Sequence, residues 1–297
     1  MRITTTFNQG NLDVEVDDGS GYASVTSGVF SLKVTDTNKV TASVRGVDKH
    51  TITDEEMKTF GITNGALKTI IGKSMGQVPN DVMPTTVGDQ WNLHNTYSWP
   101  VVASNVTFKD ADVLEFTSKL GAMSEKVFTN NSSMAATFGG VLTMQASETT
   151  TSTWSSSTKV GIGTKVNFTV GVPGVESGGA EFSTSFESTT GESKTTSKTV
   201  TIGDSQSISI VLQPGKSVKA QLMATTVTVK LRVHYYVSLD GQVAINYNPT
   251  FNGHHFYAVG IEGALAGSGM PSHFEQYEDI EMTYYGESHT DLHNFTA

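Results

Sequence analysis

The side chains that could catalyse a reaction or bind a metal fall in two short patterns. His254 and His255 are adjacent, and adjacent residues of a strand point to opposite faces, so they form no joint metal site there. Asp13, Glu15 and Asp17 share one strand face but lack the loop glycine of a calcium-binding EF-hand. The chain contains neither Gly-x-Ser-x-Gly nor His-Glu-x-x-His. We therefore predict no enzyme activity, no metal site and no cofactor.

The stretch from Thr143 to Ser209 indicates a different activity, insertion into lipid. Ser and Thr occupy 29 of its 67 positions, and in its middle apolar residues alternate with polar ones. Such an alternation gives a β-strand one apolar face and one polar face. The apolar positions share one parity: Val160, Ile162, Val166, Phe168, Val170, Val172, Ala180, Phe182 and Phe186. The opposite parity carries four charged side chains: Lys159, Lys165, Glu181 and Glu187.

Residues 159–187 are predicted to form a hairpin whose tip contains Pro173, Gly174 and Val175. Each arm has the length of about 9 to 11 residues that a tilted transmembrane β-strand requires. A half-buried hairpin in any soluble β-sandwich shows the same alternation. The Ser/Thr-rich flanks favour a membrane hairpin, but the periodicity alone leaves both interpretations open.

The composition excludes several classes of protein and favours a β fold. The net charge is −10 and the chain has three arginines, so we predict no nucleic-acid partner, which would require a basic stripe. The absence of cysteine excludes disulfides and thiolate metal sites. Strand-forming residues, Ser, Thr and 29 glycines predict a mainly β protein with antiparallel sheets.

Membrane targeting by a helix is not indicated anywhere in the sequence. The first residues lack the apolar core of a signal peptide, and no run of about 18 apolar residues occurs. We expect a protein made in soluble form, without a signal peptide or a helical anchor.

Local patterns predict the main elements. Alternation predicts strands in the first 50 residues, and Thr53 with Glu56 has the spacing of a capping box. One or two short helices are therefore predicted between residues 54 and 75. In the run 218–239 the apolar residues change parity, which predicts a β-bulge or a strand that switches faces.

Aromatic side chains form a candidate surface for a receptor or a glycan, because aromatic faces bind sugars and membrane interfaces. Packing in the core is the alternative for each of them. The candidates are Trp91, Tyr97, Trp99, Tyr235, Tyr236, Tyr247 and Tyr257.

The order of segments over about half of the chain carries a family resemblance. The segments are a Ser/Thr track at 153–157, a strand at 161–166, a turn at 172–176, a returning strand at 182–186, an exit track at 195–200 and a strand with a turn at 210–218. This order resembles the epsilon-toxin and mosquitocidal-toxin branch of the aerolysin-like β-pore-forming toxins.

The resemblance implies an elongated antiparallel aerolysin-like β-sandwich. Residues 1–100 would form a receptor- or membrane-binding head, to which parts of 245–297 could add, and residues 101–297 would form the pore-forming module.

The resemblance also implies a mode of action. A soluble monomer, released or stored as inclusions, would bind an unknown protein or glycan receptor on a target-cell plasma membrane. It would then assemble into a homo-oligomer, usually a heptamer in that family, and insert one hairpin per subunit into a β-barrel. The apolar parity would face lipid, and the four charged side chains would line the lumen. A non-lytic glycan-binding or adhesin-like β protein is the alternative interpretation.

Overall fold

The computed structural model describes residues 2–8, 11–17, 29–36, 39–45, 48–86, 90–155, 165–172, 182–203 and 208–295. Strands dominate these residues, which confirms the predicted mainly β, antiparallel fold class. The longest strands have 23 to 27 residues. At about 3.3 Å per residue they extend for roughly 75 to 90 Å.

The described residues form seventeen strands and four helices. The first nine strands are β1 (Arg2–Asn8), β2 (Asn11–Asp17), β3 (Val29–Asp36), β4 (Lys39–Arg45), β5 (Asp48–Thr51), β6 (Asp81–Pro84), β7 (Ala103–Thr129), β8 (Ala136–Gly140) and β9 (Met144–Trp154). The others are β10 (Lys165–Val172), β11 (Phe182–Thr189), β12 (Lys194–Ile202), β13 (Ile208–Leu212), β14 (Ser217–Asp240), β15 (Gln242–Phe251), β16 (His254–Gly260) and β17 (His273–Phe295). The helices are α1 (Asp54–Thr59), α2 (Asn64–Met75), α3 (Leu93–Tyr97) and α4 (Ile261–Ser268).

One or two short helices were predicted between residues 54 and 75, and the structure has two, α1 and α2. The capping box forms as predicted: the Thr53 hydroxyl accepts from the Glu56 amide at 3.2 Å, and the Glu56 carboxylate accepts from the Thr53 amide at 2.9 Å. Gly76 caps the C-terminus of α2, and its φ of 82° is accessible to glycine at low cost. Helices α3 and α4 were not predicted, because each is short and lies in a glycine- or aromatic-rich segment.

Two six-stranded sheets provide the framework. The hairpin sheet has the order β11-β10-β3-β4-β1-β2, and the body sheet has the order β12-β9-β17-β14-β7-β5. A two-stranded sheet, β13-β8, and a three-stranded sheet, β16-β15-β6, complete the described ladders. Strands β1 to β4 therefore lie in the same sheet as the hairpin. The division of the chain into a head and a pore-forming module stays a prediction.

Strand β14 is the centre of the body sheet, and its bulge confirms the predicted change of parity. It pairs antiparallel with β7 and with β17, and its register against β17 shifts between Ala224 and Thr226. One extra residue in a ladder moves the following side chains to the other face. Both Ala224 and Val227 are consequently buried although their parities differ.

Most of the buried apolar residues that the structure describes form two clusters. The larger one joins the inner face of the hairpin sheet, the body sheet and the helices α2 and α4. The smaller one lies where β8, β13 and the first half of β14 meet, around Phe128 and Leu222. Among the described residues no helix is long and apolar enough to cross a membrane.

Candidate functional site

Strands β10 and β11 form the hairpin that the alternation predicts, as far as the described residues extend. They pair antiparallel, with Phe168 opposite Phe186. The apolar parity of β10 is at most 1 % exposed: Val166, Phe168, Val170 and Val172. Phe182 and Phe186 of β11 are partly buried against the same core. The predicted apolar face is thus a buried face here, and its contact with lipid stays a prediction.

The remaining predicted hairpin residues lie outside the described residues: Lys159, Val160, Ile162, Pro173, Gly174, Val175, Ala180 and Glu181. Lys165 is described only as the first backbone position of β10, opposite Thr189. Of the four predicted lumen side chains only that of Glu187 is described, and it is partly exposed.

Aromatic contacts join the hairpin to the body sheet. Phe168 meets Tyr235 edge to face, with ring centroids 6.5 Å apart, and Phe182 stacks on Tyr284 at 4.2 Å. Within the hairpin, Phe168 and Phe186 stack at 5.4 Å. Such pairs contribute about 0.5 to 1.5 kcal/mol each beyond the burial of their area. Burial raises the pKa of Tyr284 to about 12, so its phenol stays neutral at physiological pH.

Strand β10, one edge of the hairpin, is paired with the N-terminal part of the chain. Strand β10 forms a parallel ladder with β3, from Asn167 opposite Val29 to Gly171 opposite Lys33. Leu32 of β3, opposite Val170, is 1 % exposed and belongs to the same apolar cluster. Among the described strands, β11 lies at one edge of the hairpin sheet.

A buried polar group lies where the end of β11 meets the body sheet. We call it the Glu278 cluster; its members are Ser152, Trp154, Ser188, Tyr235 and Glu278. The Glu278 carboxylate accepts from the Ser152 hydroxyl and, at 2.9 Å, from the Tyr235 hydroxyl. The hydroxyl oxygens of Ser152 and Ser188 are 3.0 Å apart, and the Trp154 indole donates to Ser188 at 2.7 Å. Glu278 itself is fully buried.

The environment of Glu278 opposes ionisation. Burial is the largest influence and raises the pKa of Glu278 to about 7, although hydrogen bonds from Ser152, Ser188 and Tyr235 act in the opposite direction. The adjacent Asp279 adds a smaller upward influence through its negative charge. None of the leading influences on this pKa comes from a cation. The sequence gives no sign of this carboxyl, because it is one of four acidic residues between positions 275 and 281.

The outer face of the hairpin is polar. The hydroxyl oxygens of Thr169 and Ser185 are 2.8 Å apart across the ladder, and Lys194 donates to the Glu187 carbonyl at 3.0 Å. Small hydroxyl side chains can bond to one another or to water, so this face can border an aqueous space.

The Ser/Thr-rich flanks form their own ladder. Strand β9, which precedes the hairpin, pairs antiparallel with β12, which follows it, from Met144 opposite Ile202 to Ser152 opposite Lys194. The hydroxyl oxygens of Thr151 and Thr195 are 3.1 Å apart on this ladder. Entry to the hairpin and exit from it are therefore side by side in the body sheet.

The predicted aromatic surface is wrong for two of its members. Tyr235 and Tyr247 are fully buried. Tyr235 stacks on Trp154 with ring centroids 5.0 Å apart, and the Tyr247 hydroxyl donates to the Gln77 carbonyl at 2.9 Å. Both are core residues, since their rings lie on the inward parity of β14 and β15, and they cannot contact a receptor in this conformation.

Three other aromatic candidates lie in helix α3 or directly beside it. Tyr97 is 54 % exposed and stacks on Trp99 with centroids 4.9 Å apart. Trp91 meets the exposed ring of Phe256 edge to face at 6.1 Å. The sequence reasoning missed Phe256, although its place beside Tyr257 in an alternating strand could have indicated it. Trp91 lines a depression of about 460 Å³, together with the polar residues Asn64, Lys68, Asp81 and Gln90.

Tyr236 and Tyr257 are partly exposed and lie in other surroundings. Tyr236 lies under the Lys109 ammonium and against His273, whereas Tyr257 packs among Tyr247, Phe251 and His254. These five contacts place the two rings in separate local clusters.

One group of metal-ligand residue types occurs within the described residues. The ligand atoms of Asp110, Asp112 and His234 lie within 4.8 Å of one another. The His234 imidazole is 3.5 Å from the Asp112 carboxylate, and Arg232 lies opposite Asp112 in the ladder. A neighbouring guanidinium disfavours a bound cation, so we assign these residues to surface ion pairs.

Comparison with known proteins shows the family context of this geometry. Residues 101–286 match the family model described as Clostridium epsilon toxin ETX/Bacillus mosquitocidal toxin MTX2. U-megalopygitoxin(8)-Mo12 of Megalopyge opercularis is 31 % identical over 254 residues, which are 84 % of this chain and 86 % of the relative. U-megalopygitoxin(8)-Mo15 of the same species is 28 % identical, over 91 % of this chain and 86 % of that protein.

Among solved structures, the chain is similar to a Bacillus thuringiensis toxin described as parasporin-2, which recognizes cancer cells. The TM-score is 0.63 at 17 % sequence identity, and the match covers 85 % of this chain and 100 % of that one. This likeness concerns the fold.

Proposed function

Because the chain belongs to the epsilon toxin/mosquitocidal toxin family of aerolysin-like pore-forming toxins, we propose that it permeabilises target-cell membranes by inserting residues 159–187 as a β-hairpin. Several copies would each contribute one hairpin to a closed barrel. Closure is required because only a closed sheet leaves no unpaired backbone groups in the hydrocarbon region.

The observation that carries the proposal is the buried apolar face of β10. Each large apolar side chain buried on folding contributes about 1.5 to 3 kcal/mol. The four buried residues of β10 therefore contribute roughly 6 to 12 kcal/mol through burial in a core that the body sheet, β3 and β11 form together. Lipid offers the same side chains an apolar environment, so transfer from the core to a membrane keeps most of this free energy.

The polar face of the hairpin supports the same proposal. Thr169, Ser185 and Glu187 would line the lumen, together with Lys159, Lys165 and Glu181. Two basic and two acidic residues per subunit would give rings of both signs, and we expect only modest ion selectivity. The homo-oligomer, a heptamer in analogy to the family, is part of this proposal.

The aromatic residues around α3 are the proposed receptor-contacting surface. Tyr97 and Phe256 are exposed, and Trp91 lines a depression together with polar side chains. Aromatic faces combined with amide and carboxylate groups suit a carbohydrate or a membrane interface. In this arrangement the receptor surface includes residues 90–99 and β16.

A disulfide between the hairpin and the body tests the insertion step, because the natural chain has no cysteine. Ser152→Cys with Ser188→Cys joins β9 to β11 at hydroxyl positions 3.0 Å apart. The control, Thr169→Cys with Ser185→Cys, joins the two arms of the hairpin at positions 2.8 Å apart, a pairing that insertion would preserve.

The readout is release of a trapped dye from ghosts prepared from a panel of insect and vertebrate cells. We expect the oxidised body-to-hairpin variant to release no dye, reduction to restore release, and the control to release dye in both states. Full release by the oxidised first variant would exclude an insertion in which β11 leaves the body together with residues 159–187. The non-lytic adhesin-like alternative would be favoured if the wild type bound saturably to cells of the panel but caused no leakage and formed no SDS-resistant oligomer on any of them.

A further inference from the structure

The Glu278 cluster is the only described polar cluster with a buried carboxyl that spans the hairpin and the body. Ser188 belongs to β11, whereas Ser152, Trp154, Tyr235 and Glu278 belong to three strands of the body sheet. Ser188 directly follows residues 159–187, and withdrawal of the whole of β11 with them would remove its hydroxyl from the Ser152 hydroxyl and from the Trp154 indole. It would also open the face of β17 on which Glu278 is buried.

We propose that the Glu278 cluster is a proton-controlled latch, which holds the hairpin against the body while Glu278 is protonated and releases it more readily when Glu278 is ionised. This inference rests on the proposed function, since it concerns the regulation of hairpin release.

The charges around Glu278 are few in the described part of the chain. Across the sheet the titratable neighbour is the phenol of Tyr235, which donates to the carboxylate at 2.9 Å. Along β17 the titratable neighbour is Asp279. Its carboxylate lies on the opposite face of the sheet and accepts two hydrogen bonds from Arg232, at 2.8 and 2.9 Å. From β9 and β11 the groups are the hydroxyls of Ser152 and Ser188 and the indole of Trp154. A buried carboxylate that is hydrogen-bonded but not paired with a cation is costly to keep ionised.

The direction of the pH dependence follows from the two environments of Glu278. In the stowed state its pKa is about 7, and in water it would return towards its ordinary value of 4.5. Release therefore gives off a proton between these values and is favoured by rising pH. The stabilisation of the stowed state is fully present below about pH 4.5 and is lost as the pH rises through about 7. Between about pH 5 and pH 8 the equilibrium for release should rise roughly 30- to 100-fold.

This direction distinguishes the latch from an acid trigger. A latch that opened by protonation would require a group whose pKa is lowered in the stowed state. In the Glu278 cluster the pKa is raised in the stowed state. Acid should therefore keep the hairpin in place, and a neutral or alkaline medium should loosen it.

Hydrogen exchange of peptides from β10 and β11 in the soluble protein tests the latch without any membrane. At each pH the wild type is compared with Glu278→Gln, so that the chemical pH dependence of exchange cancels. Relative to this variant, we expect the equilibrium constant for hairpin opening in the wild type to increase roughly 30- to 100-fold between about pH 5 and pH 8. Glu281→Gln, an exposed carboxyl on the same strand, should follow the wild type.

A second variant keeps the test decisive if Glu278→Gln does not fold. Tyr235→Phe removes a hydrogen bond that favours the ionised carboxyl, so the midpoint of the pH dependence should move to higher pH. Identical pH profiles of the wild type, Glu278→Gln and Tyr235→Phe, or opening that increases towards acid, would overturn the latch. A pH-dependent hairpin in a protein that never releases dye would leave the latch standing and refute the proposed function alone.

Discussion

The hairpin β10–β11 and the central strand β14 share the same alternation of apolar and polar residues but are held in very different ways. Strand β14 has 24 residues and is paired along nearly its whole length with both β7 and β17. Strand β10 has eight residues, its ladder with β3 covers five of them, and β11 is an edge strand. Alternation therefore identifies a buried face, whereas the neighbouring strands decide whether that face can leave the core.

The contacts between the hairpin and the body sheet also indicate that the hairpin can separate from the body. The hairpin meets the body through side chains: Phe168 on Tyr235, Phe182 on Tyr284, and Ser188 in the Glu278 cluster. No backbone ladder joins β10 or β11 to the body sheet within the described residues. Side-chain contacts can be exchanged for lipid contacts without leaving backbone groups of the body unpaired.

The largest expected effects come from truncating one core residue in each region. Leu231→Ala in β14 should lower the free energy of unfolding by about 2 to 5 kcal/mol, and Phe168→Ala in β10 by about 3 to 5 kcal/mol. The difference should lie in which amides lose protection from hydrogen exchange. We expect Leu231→Ala to affect the whole sandwich, and Phe168→Ala to affect β10 and β11 while the slowest amides of β14 change much less.

The same exchange experiment can contradict the idea that the hairpin and β14 are held differently. Equal loss of protection in β14 and in the hairpin of Phe168→Ala would mean that both regions unfold as one unit. In that case the hairpin would not be a separable element, and its release would require unfolding of the body.

The smallest effect is expected on the exposed side of the body sheet. Arg232 makes a bidentate ion pair with Asp279, and its guanidinium lies 4.0 Å from the centre of the Tyr277 ring. Both partners of the ion pair remain partly in contact with water, so Arg232→Ala should cost about 1 kcal/mol or less in chemical denaturation. A loss comparable to that of Leu231→Ala would show that this face, too, contributes to the core.

Local sequence patterns predicted the hairpin parity, the capping box of α1 and the bulge of β14, because each depends on neighbouring residues. The parallel ladder between β10 and β3 could not be predicted, since it joins strands that are far apart in the chain. The burial of Tyr235 and Tyr247 was missed for a related reason: an aromatic residue in a strand can face either side, and only the packed sheets decide which.

The Glu278 cluster shows the same limit for polar residues. Glu278 stands among Glu275, Asp279 and Glu281, a composition typical of a solvated strand face. Only the packed sheets show that its side chain points inside, where hydroxyls from β9, β11 and β14 surround it. No local pattern brings together four strands of the chain.

The central claim, that the buried face of β10 becomes the lipid face of a barrel, is tested most directly by single cysteines labelled with a polarity-sensitive dye. The labels are placed at Val166, Phe168 and Val170, and at the alternate positions Asn167, Thr169 and Gly171. On membranes of cells that the wild type permeabilises, we expect lipid-attached quenchers to quench the first set and to leave the second set largely unaffected. Equal quenching of both sets, or quenching of neither, would contradict the account.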